Sequence, residues 1–472
     1  MKPARDGFLA CLLAGLLAGC AHYREEPLSS VRSAATFDAR SLSEPALRKF
    51  LEQIRQRELF PWPMPRWDLP SLTLAAFYFH PSLDLARAQW GVAKAGVQTA
   101  GGRPNPTVGV TPEYAFSAEN GISPWLATLQ VNLPVETAGK RGHRIARAKQ
   151  MSESARLNIA SMAWQVRGNL RASLLDFSVS RRRAGFLQSL MEAQQQLVNL
   201  LEQRFQAGAV AATEVTPARV ALLKSTADLA EARRQNAEAR ARLAEALGLP
   251  LRALENIDFE FDLSAPAAAP GEVAPAERRQ QALQGRPDLL AALAEYAASQ
   301  SALQLEIARQ YPDIHLGTGY QFDQGEHKWS LGLTAEIPVL NRNEGPIAEA
   351  LAKRSEAAAR FLALQAKVIA EIDRAFEVQS AAREQLRSSE ILVQTQRQHL
   401  MALQTAFNAG GADALDVNGA QLELSASLLA RLDAEFRTQQ ALGQLEEALR
   451  IPFDGLSVIE TGRPAPAREG AP

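Results

Sequence analysis

Thiols, aromatic side chains and excess charge are all scarce in this 472-residue chain. It has two cysteines, 6% aromatic residues and a formal net charge of −1. Two cysteines cannot form a disulfide framework, and a charge this close to zero gives no reason to expect a nucleic-acid partner. The sparse aromatic content favours helices packed by alanine and leucine over a bulky globular core.

The sequence also lacks the motifs of enzyme active sites. It has no glycine-rich phosphate loop, no Gly-x-Ser-x-Gly elbow and no clustered pair of acids in a pocket context. Its histidines show no i, i+4 pairing that would hold a metal ion; they are His22, His80, His143, His315, His327 and His399. We therefore predict that the chain is not an enzyme, binds no metal at a dedicated site and needs no cofactor.

Proline is absent from one long stretch, residues 141–205, where Gly142, Gly168 and Gly185 are the only glycines. Apolar residues recur at every seventh position, which predicts a helix that packs against other helices in coiled-coil fashion. The series is Leu170, Phe177, Ala184, Met191, Val198 and Phe205. At about 1.5 Å per residue such a helix is about 100 Å long, too long for an ordinary domain core.

A second stretch, residues 346–407, repeats this pattern with Leu386, Val393, Leu400 and Phe407. The chain therefore reads as two structural repeats, 71–250 and 286–452. Each predicted repeat contains a helix, a β-hairpin, the long helix and a shorter helix at 213–247 or 413–450. The segment 251–285 is predicted to be a linker in the equatorial region, and 453–472 a disordered tail.

The two hairpins are predicted at 106–133 and 312–337, where apolar and polar residues alternate. Strands of about ten residues have transmembrane length, although a hairpin in a soluble sheet is the alternative. The apolar set carries the aromatic residues expected of a membrane girdle: Tyr114, Phe116, Trp125, Tyr320, Phe322 and Trp329. The opposite set is small or polar and is expected to face inward: Gln130, Asn132, Gly317, Gly319, Gln321 and Glu336.

Four strands cannot close into a barrel, and unpaired strand edges are not tolerated in lipid. Small closed barrels need at least about eight strands. A barrel shared by several chains meets both requirements, and three chains would supply twelve strands above a ring of long helices.

The N-terminus has the pattern of a lipoprotein signal peptide over residues 1–19. Lys2 and Arg5 precede an apolar run that is too short to span a bilayer, and Leu17-Ala18-Gly19-Cys20 has the small residues and cysteine of a bacterial lipobox. We expect Cys20 to be lipidated, with a plain signal peptide as the alternative. His22 is not the aspartate of an inner-membrane retention signal, which favours the outer membrane.

The proline-rich residues 20–70 are predicted to form an extended arm, laid along a neighbouring subunit.

Together these features resemble the TolC family of outer-membrane factors, the exit ducts of tripartite efflux and type I secretion systems. The resemblance is carried by the duplicated helix–hairpin–helix halves, the opening at Leu72–Leu83 and two Phe-x-x-Gly turns. The motifs Glu136–Arg141 and Leu340–Ala348 are most similar to the CzcC-like, heavy-metal efflux branch.

The resemblance implies an α+β membrane protein that forms a homotrimer. Its twelve-stranded barrel would sit in outer-membrane lipid and continue as a periplasmic α-helical barrel. The duct would passively conduct substrates, with heavy-metal cations favoured, and would meet a periplasmic adaptor and an inner-membrane RND pump. A multidrug or type I secretion duct of the same fold is the alternative, and a periplasmic coiled-coil adaptor or scaffold is the structural rival.

By resemblance, the two helix-turn-helix tips form the periplasmic entrance and the adaptor-docking surface. The tip residues are Arg204, Phe205, Gly208, Phe407 and Gly410. An acid follows each tip phenylalanine by nine residues, Glu214 in the first half and Asp416 in the second. The family places an acidic ring at the position of Asp416, so three copies would form a cation-attracting collar. A helix-start acid stabilised by the helix dipole is the alternative.

Overall fold

The computed structural model describes residues 23–117, 122–263 and 275–453. The chain divides into two compact units, one ending at Ser41 and the other beginning at Leu42. The first unit contains helix α1 (Ser30–Asp38), whose N-cap Ser29 accepts a hydrogen bond from the Arg32 N–H through its side chain. All the elements that follow belong to the second unit.

Each half of the second unit has the same order: helix, hairpin, very long helix, 36-residue helix. The first half comprises α2 (Pro45–Arg55), β1 (Arg66–Trp67), α3 (Leu69–Phe79), α4 (Pro81–Ala100), β2 (Thr107–Tyr114), β3 (Trp125–Val135), α5 (Lys140–Gln206) and α6 (Ala212–Leu247). A 3₁₀ turn (Leu251–Leu254) and β4 (Asp258–Phe259) follow. The second half comprises α7 (Pro275–Gly285), α8 (Pro287–Ala308), β5 (Ile314–Asp323), β6 (Glu326–Ala335), α9 (Glu344–Asn408) and α10 (Ala414–Leu449).

The two long helices, α5 and α9, contain 67 and 65 residues, which corresponds to about 100 Å each. Helix α5 packs along both α6 and α8, and α9 packs along α10. Residues of the seventh-position series are buried where these helices meet, among them Leu170, Phe177, Val198, Val393 and Leu400. The repeated apolar seam therefore packs helix against helix, as its period indicates.

The two hairpins join into one four-stranded antiparallel sheet in the order β2-β3-β5-β6. Strand β3 pairs with β5 from Val135–Ile314 to Leu126–Asp323, so the sheet contains strands of both halves. Strands β2 and β6 are its outer strands. Pro112 lies within β2, where an outer strand can accommodate a residue that has no backbone N–H.

The largest core cluster belongs to the first half and includes residues from the segment 20–70. The prediction of an extended arm for this segment is therefore wrong. Instead of an extended arm, α2 forms at 45–55, because Pro45 occupies the first helical turn, where its missing N–H costs nothing. Leu47, Phe50 and Leu51 of α2 are buried against Trp67 and the largely buried α3. This segment therefore packs on its own chain, and the prolines of residues 61–65 are confined to the loop before β1.

The predicted linker, 251–285, also contains regular structure. Strand β4 pairs in parallel with β1, so that Phe259 lies beside Trp67, and Leu254 and Phe259 both enter the large core cluster. Helix α7 occupies the end of the segment. Residues 264–274 and the predicted tail beyond Phe453 lie outside the described residues.

Candidate entrance and outer-membrane sheet

The first tip is the turn between α5 and α6. Helix α5 ends at Gln206, and Gly208 adopts a positive φ of 72° that reverses the chain. The Ala209 N–H donates to the Arg204 carbonyl at 2.8 Å, which closes the last turn of the helix. Helix α6 then begins at Ala212, with Glu214 in its first turn accepting from the Ala211 N–H at 3.3 Å.

The second tip, between α9 and α10, has the same geometry. Gly410 has a φ of 77°, and the Gly411 N–H donates to the Ala406 carbonyl at 2.8 Å. The Asp416 carboxylate accepts from the Asp413 N–H at 2.9 Å. Glu214 and Asp416 are therefore both exposed helix-start acids, each bonded to the backbone three residues earlier.

An ion pair joins the two tips. The Arg204 guanidinium, at the end of α5, donates two hydrogen bonds to the Asp413 carboxylate, at the start of α10, at 2.7 and 2.5 Å. The Arg204 hydrogen bond lowers the pKa of Asp413 to about 2, and the pair correspondingly raises the pKa of Arg204. The tip phenylalanines, Phe205 and Phe407, are close to this pair in sequence. They expose nearly half of their surface, 47% and 46% respectively.

The sheet at the other end of the long helices presents one apolar and one polar face. Cross-strand neighbours share a face, and the register pairs Tyr114 with Trp125 and Tyr320 with Trp329. Their ring centroids are 5.1 and 5.0 Å apart. Phe322 lies on the same face and pairs with Ala127 of β3, whereas Phe116 lies beyond the end of β2 with its ring against Tyr114.

The opposite face of the sheet is small and polar. Gln130 pairs with Gly319 and Asn132 with Gly317, and Gln321 falls on the same side opposite Thr128. Glu336 lies one residue beyond the end of β6. The register therefore separates the aromatic set from the polar set, as the alternation of the sequence predicts.

The segment that follows β3 holds the sheet to the helices. The Lys140 ammonium, largely buried at the start of α5, donates to the Asp313 carboxylate and to the Tyr311 carbonyl, both at 2.7 Å. The Thr137 hydroxyl donates to the Pro312 carbonyl, and Glu136 pairs with Arg144. The motif Glu136–Arg141 thus joins the first half to the turn before β5 in the second half.

The family model "Outer membrane efflux protein" matches residues 75–249 and again residues 279–449. Together these two ranges cover well over half of the chain. The chain belongs to the outer membrane efflux protein family. It is an outer-membrane efflux channel of the TolC family, as its sequence features imply, and the rival interpretation as a periplasmic adaptor is wrong.

Two curated relatives and one solved structure illustrate this membership. The chain is 25% identical to the cobalt-zinc-cadmium resistance protein CzcC of Cupriavidus metallidurans, over 78% of this chain and 86% of the relative. It is 24% identical to the pyoverdine export outer membrane protein OpmQ of Pseudomonas putida, over 71% of each. The structure of the outer-membrane channel OprN superimposes with a TM-score of 0.69 at 18% identity, covering 94% of this chain and 99% of that one.

Family membership gives context to the predicted site residues, which lie in two separate places. The tip residues and the two acids lie together at the turns, and the aromatic residues lie on the sheet. Sequence reasoning missed Asp413 as the partner of Arg204. The Asp413-x-x-Asp416 spacing of a capping box was the available signal, because it marks Asp413 as an acid at a helix start. The first half has no such acid, since Ala211 occupies the corresponding position.

The described part of the chain contains neither a membrane-spanning helix nor a group of metal ligands. Within residues 23–117, 122–263 and 275–453, no helix combines the length and apolar character that crossing a membrane requires. Over the same residues, no three side chains of His, Cys, Asp or Glu gather as metal ligands. Cys20 lies outside these residues.

Proposed function

We propose that three copies of this channel form one duct, an outer-membrane barrel of twelve strands continued by a periplasmic helical barrel. The four-stranded sheet carries the proposal. It has an exposed apolar face and two outer strands, β2 and β6, that pair on one side only. Four strands cannot enclose a lumen, and an open edge is costly in lipid, so the strands of neighbouring copies complete the sheet. In this arrangement the aromatic face contacts lipid and the polar face lines the bore.

The proposed cargo is heavy-metal cations, conducted passively from the periplasm to the exterior. The similarity to CzcC over most of both chains supports this assignment. Two alternatives remain within the same fold, export of drugs or small metabolites and type I secretion. The similarity to a pyoverdine export protein favours testing the metabolite alternative alongside the metals. We propose no chemistry and no cofactor other than a covalent lipid.

Deletion of the gene tests the cargo. The deletion strain is grown on zinc, cobalt, cadmium and copper, on a drug panel, and with assay of secreted siderophore. Metal sensitivity restored by the wild-type gene is the expected result. Sensitivity to drugs without sensitivity to metals, or a secretion defect alone, would reject the metal assignment while leaving the duct intact.

The proposed partners are a periplasmic adaptor, docked on the tips, and an inner-membrane RND pump. The exposed phenylalanines Phe205 and Phe407 support docking at this end, because exposed aromatic side chains are common anchors of protein interfaces. Replacing both with serine should abolish crosslinking to the adaptor without loss of the assembled duct. Crosslinking at the wild-type level would place the docking surface elsewhere.

We further propose that Cys20 carries the lipid that anchors the mature N-terminus to the outer membrane. Palmitate labelling should be lost in Cys20→Ala, whereas Cys11→Ala, within the signal peptide, should retain it. Labelling that persists in Cys20→Ala would reject this anchor.

At the entrance we propose that Asp416, with Glu214 behind it, forms a cation-attracting collar. Both carboxylates are exposed at the tips, which supports the proposal, although each also caps its own helix. Asp416→Asn keeps a hydrogen-bond acceptor for the Asp413 N–H while removing the charge. The reconstituted pore should then lose cation selectivity, and Glu238→Gln, an exposed acid far along α6, should not. Unchanged selectivity in Asp416→Asn would rule the collar out.

A further inference from the structure

A cleft of about 440 Å³ opens where the start of α8, the middle of α9 and the end of α10 meet. We call it the arginine cleft, after the cationic side chains in its wall: Arg286, Arg374 and Arg450, together with Lys367. Three acids, Asp288, Glu371 and Glu447, also line it. Four cations and three acids leave an excess of one positive charge.

Two of the cations lie near an acid of the cleft wall. The Arg286 guanidinium lies 2.6 Å from the Asp288 carboxylate and donates to the Ala448 carbonyl, also at 2.6 Å. Lys367 lies 3.7 Å from the Glu371 carboxylate, one turn along α9. Arg450 also lies near an acid, at 3.6 Å from the Glu447 carboxylate, which is too far for a hydrogen bond. The excess charge is therefore that of Arg374, and Arg450 is the cation whose pairing is incomplete.

Arg450 is the more deeply placed of the two. Only 14% of its side chain is exposed, and the carboxylate nearest to it, that of Glu447, is 3.6 Å from its Nη1 atom. That atom is buried and has no hydrogen-bond acceptor among the described residues. Arg374 lies on the exposed rim and forms no ion pair within residues 23–117, 122–263 and 275–453. A guanidinium that is desolvated without a bonded acceptor costs free energy.

The backbone of Arg450 adds a second cost. This residue caps α10 in the left-handed region, with a φ of 55°, a conformation that L side chains other than asparagine seldom adopt. The same position in the first half, after α6, is Gly248, with a φ of 71°. Strained non-glycine residues of this kind cluster at ligand sites, where the surroundings hold them in place.

The electrostatic environment of Arg450 is also unfavourable for a cation. Burial, and then the neighbouring Arg286 guanidinium, lower the pKa of Arg450, and the Glu447, Asp288 and Glu371 carboxylates offset this only in part. Its guanidinium also lies over the Trp164 ring of α5, 5.9 Å from the centroid, so the side chain reaches from the second half to the first. Backbone strain, desolvation and like charge thus all oppose an arginine here, and an anion would offset the last two.

We propose that the arginine cleft binds a small oxyanion, a phosphate or a carboxylate, on Arg450, with Arg286 behind it and Arg374 at the rim. The planar guanidinium presents paired N–H donors that match the oxygens of either group. The volume admits an inorganic phosphate or a dicarboxylate together with water. The bound anion would contact α8, α9 and α10 of the second half. It would also lie close to α5 of the first half, because Arg450 packs on Trp164 of that helix.

The position along α9 indicates an aqueous source for the anion. Lys367 and Arg374 lie 23 and 30 residues beyond the start of α9 at Glu344, which at about 1.5 Å per residue is about 35–45 Å from the sheet end. A phospholipid head group at the sheet cannot reach that far. The anion is therefore a solute of the compartment that surrounds the helices.

The experiment measures thermal melting and calorimetric binding of the purified full-length channel in detergent, titrated with inorganic phosphate or with succinate. Sodium chloride at equal ionic strength controls for screening and salt effects. We expect a saturable rise in melting temperature with one or both anions, since a ligand that binds only the folded state stabilises it. The anion with the lower Kd distinguishes phosphate from carboxylate chemistry.

The decisive variant is Arg450→Gly, because glycine is the residue that the first half uses at this backbone position and so relieves the strain. It should fold and should lose the saturable stabilisation, with a Kd at least about tenfold higher because a charged hydrogen-bond partner is gone. Arg374→Gln, at the rim, should weaken binding less. Arg360→Gln, which removes one exposed charge from α9 outside the cleft, should bind like the wild type. Absence of saturable stabilisation in the wild type, or equal stabilisation in wild type and Arg450→Gly, would overturn the proposal.

Discussion

At the residue scale, the ion pair between Arg204 and Asp413 connects the ends of helices that belong to different halves of the chain. Both side chains are accessible to water, so their attraction is screened and the pair contributes little to global stability. Its importance is local. We expect it to fix the spacing of the two tips, where we propose that the entrance opens.

The tip pair should resist acid well below the pH at which free carboxylates titrate. The pKa of Asp413 is lowered from 3.8 to about 2, so the pair contributes above pH 3.8 and is lost as the pH falls through 2. The collar acids must be neutral for this test, so the channel carries Glu214→Gln and Asp416→Asn. In planar bilayers at low salt, its conductance should stay constant from pH 7 to pH 4 and change only below about pH 3.

Neutralising the aspartate tests the same pair at neutral pH. Asp413→Asn should show the altered conductance already at pH 7. Arg219→Gln, which breaks a tip ion pair with Glu202 that does not join the two halves, should leave the conductance unchanged. A conductance change between pH 4 and pH 5 in the channel that lacks the collar acids would contradict this assignment.

Two glycines with nearly the same backbone angle should differ in their tolerance of alanine. Gly208 has a φ of 72° and nothing within 4 Å of an added Cβ, so Gly208→Ala should cost only the strain, about 1–2 kcal/mol. Gly248 has a φ of 71°, and an added Cβ would lie 3.0 Å from the His80 Cα and the Phe79 carbonyl oxygen. Gly248→Ala should therefore cost about 1–3 kcal/mol more.

Hydrogen exchange near each glycine, together with thermal melting, measures the two costs separately. The melting temperature should fall clearly in Gly248→Ala, which disturbs the junction between α6 and α3. It should change little in Gly208→Ala, where the effect is local to the tip. Equal effects of the two substitutions would show that backbone strain alone decides the cost.

At the element scale, a buried ionic cluster joins α5 of the first half to α10 of the second. The Glu446 carboxylate lies 2.6 Å from the Arg167 guanidinium and 3.4 Å from that of Arg171, and all three side chains are at most 8% exposed. The Glu446 carboxylate also accepts from the Phe453 N–H at 2.7 Å. Here the two helices are joined by contacts between buried polar groups, whereas elsewhere apolar residues pack the helices together.

Removing the charge of this carboxylate should be strongly destabilising, because Glu446 lies between two buried guanidinium groups and accepts a hydrogen bond from one of them. We expect Glu446→Gln to cost about 3–5 kcal/mol. Glu238→Gln, which removes an acid paired with Arg234 and Arg242 on the exposed surface of α6, should cost less than about 1 kcal/mol. Thermal melting monitored by circular dichroism compares the two, and a difference below 1 kcal/mol would show that water reaches the cluster.

At the scale of the whole molecule, the sheet is the incomplete element. A single chain exposes the apolar side chains of its outer strands, among them Val108, Val110, Trp329, Leu331 and Leu333. A surface of this kind is stable in lipid only when neighbouring strands pair with β2 and β6. This exposure supports our proposal that the assembly, and not the single chain, is the stable form.

We expect outer-membrane fractions to yield a trimer that migrates at three times the monomer mass in unheated detergent gels and dissociates on heating. Proline at Leu331, in the middle of the outer strand β6, should prevent trimer formation because it removes a backbone donor from the strand. Proline at Glu326, the first residue of β6, should be tolerated. A monodisperse monomer in the membrane fraction would refute the shared barrel.

The sequence by itself determined the periodic elements. A seventh-residue seam and the absence of proline specify the long helices, because local geometry fixes which face is buried, and strict alternation specifies strands with one apolar face. The Phe-x-x-Gly spacing likewise located both tips. These are short-range patterns, and the structure reproduces them to within a few residues, from Lys140 to Gln206 against a predicted 141–205.

Only the tertiary structure decided which distant residues meet. Residues 45–55 do carry a helical spacing of apolar residues, at Leu47, Phe50, Leu51 and Ile54, which the density of nearby prolines obscured. Only the structure shows that Trp67 and α3 provide the core on which this face packs. The partnership of Arg204 with Asp413, of Glu446 with Arg167, and the gathering of Arg286, Arg374 and Arg450 around one cleft each join residues more than 70 positions apart. No local period encodes such contacts, because they depend on how complete helices pack.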